Sequence, residues 1–238
     1  MYYQLFRHVL LGPGLKIIYR PWAEGLKNIP ESGPAILASN HLSFADSIFL
    51  PLVMKRKLVF LGKAEYFDGR GIKGAATRAF MAGVGTIPVN RGGGRASEAA
   101  LRTGLQVLAN GELLGIYPEG SRSPDARLYR GKTGVARLAI ESGVPVVPVA
   151  MIDTHIAQPI GRRIPNRHPT GVRVGEPLEF SSYAGRQEER KALREVTDTI
   201  MAAIQDVSGQ EYVDRDSAKL KREIDHERRG IWDGELGD

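Results

Sequence analysis

The sequence predicts an α/β domain with a largely parallel central sheet flanked by helices, an N-terminal amphipathic helical arm and a C-terminal helix. Two observations carry this. Short apolar runs, "PAILASN", "KLVFLG", "GTIPV", "ELLGIYP" and "VPVVPVAM", recur through the middle of the chain, each about the length of a buried strand. Helical patterns lie between them, and strand–helix–strand alternation signals a parallel sheet covered on both faces. The 238 residues, 42% of them hydrophobic, suit one domain with appendages.

Residues 1–20, "MYYQLFRHVLLGPGLKIIYR", mix aromatic and aliphatic side chains with Arg7, Lys16 and Arg20, contain no acid, and break at Gly-Pro-Gly. They read as two short helical pieces. Such a segment suits a membrane interface, and it equally suits an arm packed on its own domain. Residues 21–207 hold the alternation. The strand "PAILASN" runs into His41. "FADSIFLPLVM" then reads as a helix with Ser43 as its cap and Asp46 at its third position, where a carboxylate completes a capping box. Over residues 96–110, Leu101, Leu105 and Leu108 share a helical face and Gly111 is a natural stop. Val135, Leu138 and Ala139 mark a helix over 133–142 that ends at Gly143. "GVRVGEPL" (171–178) adds an edge strand. Residues 188–207 form an amphipathic helix with Leu193, Val196, Ile200, Met201 and Ile204 on one side. Residues 208–238 read as a charged tail.

Composition excludes several chemistries. Cysteine is absent, which removes disulfides, thiolate-bound metals and thiol catalysis, and fits a reducing compartment. No apolar run reaches 18 residues, so no spanning helix is expected, and no secretory signal is evident. No His, Asp and Glu set has metalloenzyme spacing, so no metal is expected. The net charge is +6 and the pI about 9.6. Nucleic acid is not the expected partner, because no nucleic-acid motif accompanies the charge. Two phosphate motifs fail. "GRGIKG" (69–74) has the G-x-G-x-x-G spacing, but the strand before it ends too early and no acid follows at ribose distance; it reads as a turn opening a helix. "ARLYRGKT" (126–133) is nearly a phosphate loop, but Ala126 replaces the first glycine. His155 and His168 fall in a Pro-rich loop and read as surface histidines.

"NHLSFAD" (40–46) is less easily dismissed. A capping box explains Ser43 and Asp46 but leaves His41 unexplained. Helical side chains lean toward the N-terminus, so the Asp46 carboxylate points back toward His41. There it could fix the tautomer and leave the second ring nitrogen as a base.

With "GTIPVNRG" (85–92), "YPEGSRS" (117–123) and "VPVVPVAM" (144–151) following in order, the chain resembles the glycerolipid acyltransferase family, the 1-acyl-sn-glycerol-3-phosphate acyltransferase type. The first block matches N-H-x-S-x-x-D at Asn40, His41, Ser43 and Asp46. The second matches G-x-I-x-V-x-R at Gly85, Ile87, Val89 and Arg91. The third matches F-P-E-G-T-R-S with Tyr117 for Phe and Ser121 for Thr. "LGKAEYF" (61–67) is similar to the basic stretch between the first two blocks.

The resemblance implies acyl transfer from a thioester to a lysolipid hydroxyl, without an acyl-enzyme. His41 would be the general base and Asp46 its orienting carboxylate. Lys63, Arg91, Glu119, Gly120 and Arg122 would bind substrate, the cations on its phosphate; Glu119 could instead cap backbone N–H groups in the Gly120 turn. No cofactor is implied beyond acyl-CoA or acyl-carrier protein as donor substrate. The partners implied are a lysophospholipid acceptor, that donor and a membrane surface. The place implied is the cytoplasmic face of the cell membrane, with peripheral or monotopic attachment through the 1–20 arm. The alternatives are a family member acting on glycerol 3-phosphate or another lysolipid, and a non-catalytic lipid-binding protein.

Overall fold

The predicted runs become the strands of one sheet in the computed structural model, which describes residues 19–89, 93–160, 162, 166–224 and 226 together with Gly14 and Ile17. The strands are β1 (Trp22–Glu24), β2 (Ala35–Ser39), β3 (Leu58–Lys63), β4 (Thr86–Val89), β5 (Leu113–Ile116), β6 (Leu128–Tyr129), β7 (Val146–Ile152), β8 (Gly171–Val174) and β9 (Tyr212–Val213). The helices are α1 (Asp46–Val53), α2 (Gly71–Gly83), α3 (Gly93–Ala109), α4 (Gly134–Ser142), α5 (Thr154–Ala157) and α6 (Arg190–Ser208). Seven strands pair in the order β1-β8-β7-β2-β5-β3-β4. Every neighbouring pair in this sheet is parallel except β7 with β8.

Alternation along β2 shows how the layers form. Ile36 and Ala38 face a core built with Leu101 and Leu108 of α3, Val135 and Leu138 of α4, and Val196, Ile200 and Ile204 of α6. Ala35 and Leu37 face the other way, onto Phe49, Leu50 and Leu52 of α1. A strand covered on both faces has no polar side, which is why it reads as an unbroken apolar run. Each fully buried Leu or Ile contributes roughly 1.5–3 kcal/mol relative to exposure.

Three details differ from expectation. The strand over 171–174 is not at the edge: β8 lies between β7 and β1, and β1 is outermost. Three residues are too few to show a period, so β1 left no pattern to read. The C-terminal tail begins as ordered structure: β9 pairs with β6 and Ser217 is buried. α1 itself begins later than the Ser43 cap predicts, at Asp46, and Ala45 just before it makes no side-chain cap bond. Ser43 still accepts the Ala45 N–H on Oγ at 3.2 Å, while its hydroxyl donates to the Gln158 carbonyl at 2.8 Å. The carboxylate half of the capping box does form, from Ser43 N–H to Asp46 Oδ2. "GRGIKG" does open a helix, α2, beginning at Gly71.

α1 follows β2 on one face of the sheet, and α4 follows β5 on the opposite face. β2 and β5 are neighbours. Adjacent strands whose helices depart to opposite sides leave a crevice at their carboxyl ends, where ligands of α/β folds bind. Both the first and third sequence blocks emerge there.

Candidate active site

Register places the two blocks opposite each other. Ala38 pairs with Ile116, so His41 and Glu119 each lie three residues beyond that pair. The His41 N–H donates to Glu119 Oε1 at 3.1 Å, and the Tyr129 N–H donates to Glu119 Oε2 at 3.0 Å. The His41 carbonyl accepts the Ser123 N–H at 2.8 Å. Asn40 ties the same turn to β7, through both the carbonyl and the N–H of Met151. The backbone carrying His41 is therefore fixed from three sides.

The side chain is fixed as well. His41 Nδ1 lies 2.8 Å from Asp46 Oδ2. That one oxygen also accepts the N–H groups of Leu42 and Ser43, each at 2.8 Å. A carboxylate only accepts, so Nδ1 carries a proton, and in the neutral ring Nε2 holds the lone pair. Asp46 is fully buried and the His41 side chain is 18% exposed, so the imidazole remains reachable while its partner is sealed.

Burial pushes the Glu119 carboxyl up to about 8, against the pull of its two N–H donors. Both of its oxygens are engaged with backbone N–H groups, the geometry of a brace between the two loops. Gly120 beside it has φ of 73°, and an added Cβ would come within 3.0 Å of the Lys132 side chain. Its role in the geometry is the turn.

A family model described as Acyltransferase matches residues 21–152, more than half the chain. The chain belongs to the acyltransferase family. It is similar to the chloroplastic 1-acyl-sn-glycerol-3-phosphate acyltransferase LPAT1 of Arabidopsis thaliana, 33% identical over 165 residues, covering 68% of this chain and 45% of that protein. It is also similar to a 1-acyl-sn-glycerol-3-phosphate acyltransferase of Bacillus subtilis, 25% identical over 160 residues, covering 66% and 73% respectively. The matched region spans about half the length of several of these relatives. Among solved structures, the 1-acyl-sn-glycerophosphate (LPA) acyltransferase PlsC of Thermotoga maritima matches with a TM-score of 0.61 and 25% identity, over 83% of this chain and 78% of that one.

In this acyltransferase fold the remaining expected residues are placed unequally. Arg122 is half-buried on the loop after β5 and makes no hydrogen bond or ion pair among the described residues. Lys63 ends β3 beside Val89; its side chain, and Arg91 two residues past β4, lie outside the described residues. Aromatic support for the His41 ring was not foreseen. Tyr117 stacks on the imidazole of His41 with ring centroids 3.9 Å apart and an interplanar angle of 11°. Phe60 stacks on Tyr117 at 5.5 Å. The Tyr117 hydroxyl lies 3.0 Å from Ser47 Oγ. Burial, then the Asp46 charge, push its phenol well above the usual value, so it stays a neutral platform. The signal available in the sequence was the aromatic that opens "YPEGSRS".

Proposed function

We propose that the chain transfers a fatty acyl group from an acyl thioester to the free hydroxyl of 1-acyl-sn-glycerol 3-phosphate, giving phosphatidate. The observation that carries the reading is the His41–Asp46 bond, with one imidazole nitrogen locked and the other free at the crevice. The names of the relatives support the choice of acceptor. His41 Nε2 takes the hydroxyl proton as the oxygen attacks the thioester carbonyl. The tetrahedral oxyanion collapses and expels the thiolate, which recovers the proton from the imidazolium. Asp46 holds the tautomer and steadies the transient charge. The test offers purified protein lysophosphatidate, other lysolipids and glycerol 3-phosphate with palmitoyl and oleoyl donors, and identifies products by mass spectrometry. Phosphatidate as the main product is expected; acylation of another acceptor in its place overturns the assignment.

The acceptor phosphate is assigned to Arg122, with Arg91 and Lys63. Arg122 is already partly desolvated and has no anion of its own among the described residues. Arg122→Ala is expected to weaken acceptor binding by about 1.5–3 kcal/mol, the worth of a charge-assisted hydrogen bond. The acceptor KM should rise and the donor KM should hold; the opposite pattern removes the phosphate role.

The place of action is proposed as a membrane surface facing the cytoplasm. No helix of the described residues is long and apolar enough to cross a membrane. Ile17 is 72% exposed, and Phe44, Ile156 and Ile160 are exposed near the crevice, on segments joined by the Ser43–Gln158 bond. These side chains, with the exposed Arg162 and Arg167, suit an interface of apolar contact and anionic headgroups. Tyr19 is buried and packs edge-on against Phe49 at 5.0 Å, so it belongs to the domain. Deleting residues 1–18, which spares Tyr19, is expected to reduce sedimentation with anionic vesicles. Turnover of vesicle-borne lysolipid should fall more than turnover of a short-chain soluble acceptor. Equal loss of both activities places the arm in the fold rather than at the membrane.

A further inference from the structure

The segment that fails as a phosphate loop borders a basic cleft of about 730 Å³ that includes neither His41 nor Asp46. Its walls carry Arg130, Lys132, Arg190, Arg194, Arg215 and Lys219, against the carboxylates Asp214 and Asp216. Four of the six cations are paired. Arg130 pairs with Asp214 at 3.4 Å and Lys132, at the longer 3.8 Å, with Asp216. Arg194 and Arg215 pair with Asp198 and Glu223. The side chains of Arg190 and Lys219 have no partner among the described residues. Cations gathered around a void repel one another and focus a positive potential into it, which an anion relieves.

The backbone shows how such an anion would be held. Ala126, at the position of the missing glycine, has φ of 67°, a left-handed conformation that a non-glycine residue holds only under constraint. A phosphate loop would leave its amides free, but here they are spent. Leu128 N–H donates to Glu211 O at 2.9 Å, Arg130 N–H to Val213 O at 3.2 Å and Lys132 N–H to Pro118 O at 2.8 Å, while Tyr129 N–H is taken by Glu119. Recognition would therefore come from the fork and ammonium donors of the side chains. The cleft's wall is also joined to the site: Lys132 holds Pro118, and Tyr129 shares Glu119 with His41.

We propose that this cleft binds the phosphates of coenzyme A. Resting on the acyl-transfer reading, it seats the phosphorylated adenosine end of a coenzyme A thioester while the flexible pantetheine arm reaches toward His41. The observations favour a small molecule over a docked protein. The cleft's volume lies within the roughly 300–1,000 Å³ of small-molecule sites, and the ligand's phosphates would neutralise Arg190 and Lys219, the two lining cations without an ion-pair partner among the described residues.

The test is calorimetry on the full chain with coenzyme A, 3′-dephospho-coenzyme A and pantetheine, and with the Arg190→Ala/Lys219→Ala double variant. Neither side chain makes a contact that the fold needs, and melting curves check this. Coenzyme A should bind more tightly than the dephospho form, and pantetheine least. The double variant should weaken coenzyme A binding by about tenfold or more, on the scale of a lost charge-assisted contact. The KM for acyl-CoA should rise by a similar factor while the lysophosphatidate KM holds. Equal affinity for pantetheine and coenzyme A, or unchanged binding by the variant, overturns the proposal. So does a variant whose defect appears only with carrier-protein donors, or only in sedimentation with anionic vesicles. If the protein binds coenzyme A through these residues but transfers no acyl group, the cleft stands and the acyl-transfer reading falls.

Discussion

His41→Ala is expected to abolish acyl transfer and to leave the protein folded. Among the described residues, the imidazole makes one side-chain hydrogen bond, to Asp46, and one ring contact, with Tyr117. The bonds that fix the loop belong to its backbone, so alanine keeps them. What is lost is the proton acceptor, typically worth 10²–10⁴-fold. Asp46→Asn should cost less, roughly tenfold to a hundredfold, the gap between a charge-assisted and a neutral hydrogen bond. A carboxamide oxygen at the Oδ2 position could still accept all three N–H groups, because Oδ1 has no partner to lose among the described residues. Turnover and melting temperature measured together decide the matter. Near-normal turnover in His41→Ala would falsify the base assignment, and an unfolded variant would make the motif mainly structural.

Glu119→Gln is expected to destabilise the fold and slow turnover together. Glu119 is 1% exposed and accepts one backbone N–H on each oxygen. A carboxamide has one acceptor end, so its NH₂ group meets the N–H of either His41 or Tyr129, donor against donor. An unmade bond at a buried site costs about 1–3 kcal/mol. If the His41 turn is the side that yields, a shift on the order of 1 Å costs about 10²-fold in rate. A pH signature separates this from generic damage. The carboxyl sits at about 8 in the folded chain against an ordinary 4.5, so the native state keeps a proton that the unfolded state releases. Stability from this group is therefore greatest at low pH and falls as pH rises from about 4.5 to 8. The glutamine has no such slope, so the advantage of the native residue should shrink across that window. Parallel stability curves for the two proteins from pH 5 to 9 would contradict the assignment.

The parts of the fold legible in the sequence were those with a period long enough to register. β2, β5 and β7 announce themselves as apolar runs because both faces of the sheet are covered there; β3 and the edge strand β4, whose Pro88 is exposed, show through their remaining apolar side chains. β1, β6 and β9 span two or three residues, and whether such a segment pairs is decided by its neighbours. The first block was legible because His41 and Asp46 are local, joined across one turn. Glu119 was not, because its choice between substrate and backbone depends on the β2–β5 register, which brings residues 78 positions apart into contact. The same holds for Tyr117 and Phe60, whose stack is assembled by neighbouring strands. The basic cleft combines "ARLYRGKT" with α6 and the tail, segments that no single window of sequence contains.

The aromatic stack begins in the core. An added Cβ on Gly115 would fall 2.4 Å from the Phe60 ring; with no side chain there, that ring lies flat, and Tyr117 and then His41 rest upon it. The height of the His41 ring above the sheet is thus set by Gly115, Phe60 and Tyr117. Arg122 lies on the same loop as Tyr117, and its neighbour Ser123 donates to the His41 carbonyl. Exchanging the Arg122 side chain leaves those backbone ties in place, whereas lengthening or shortening the loop would shift the His41 ring as well. Evolution of this loop is therefore freer in side chain than in length.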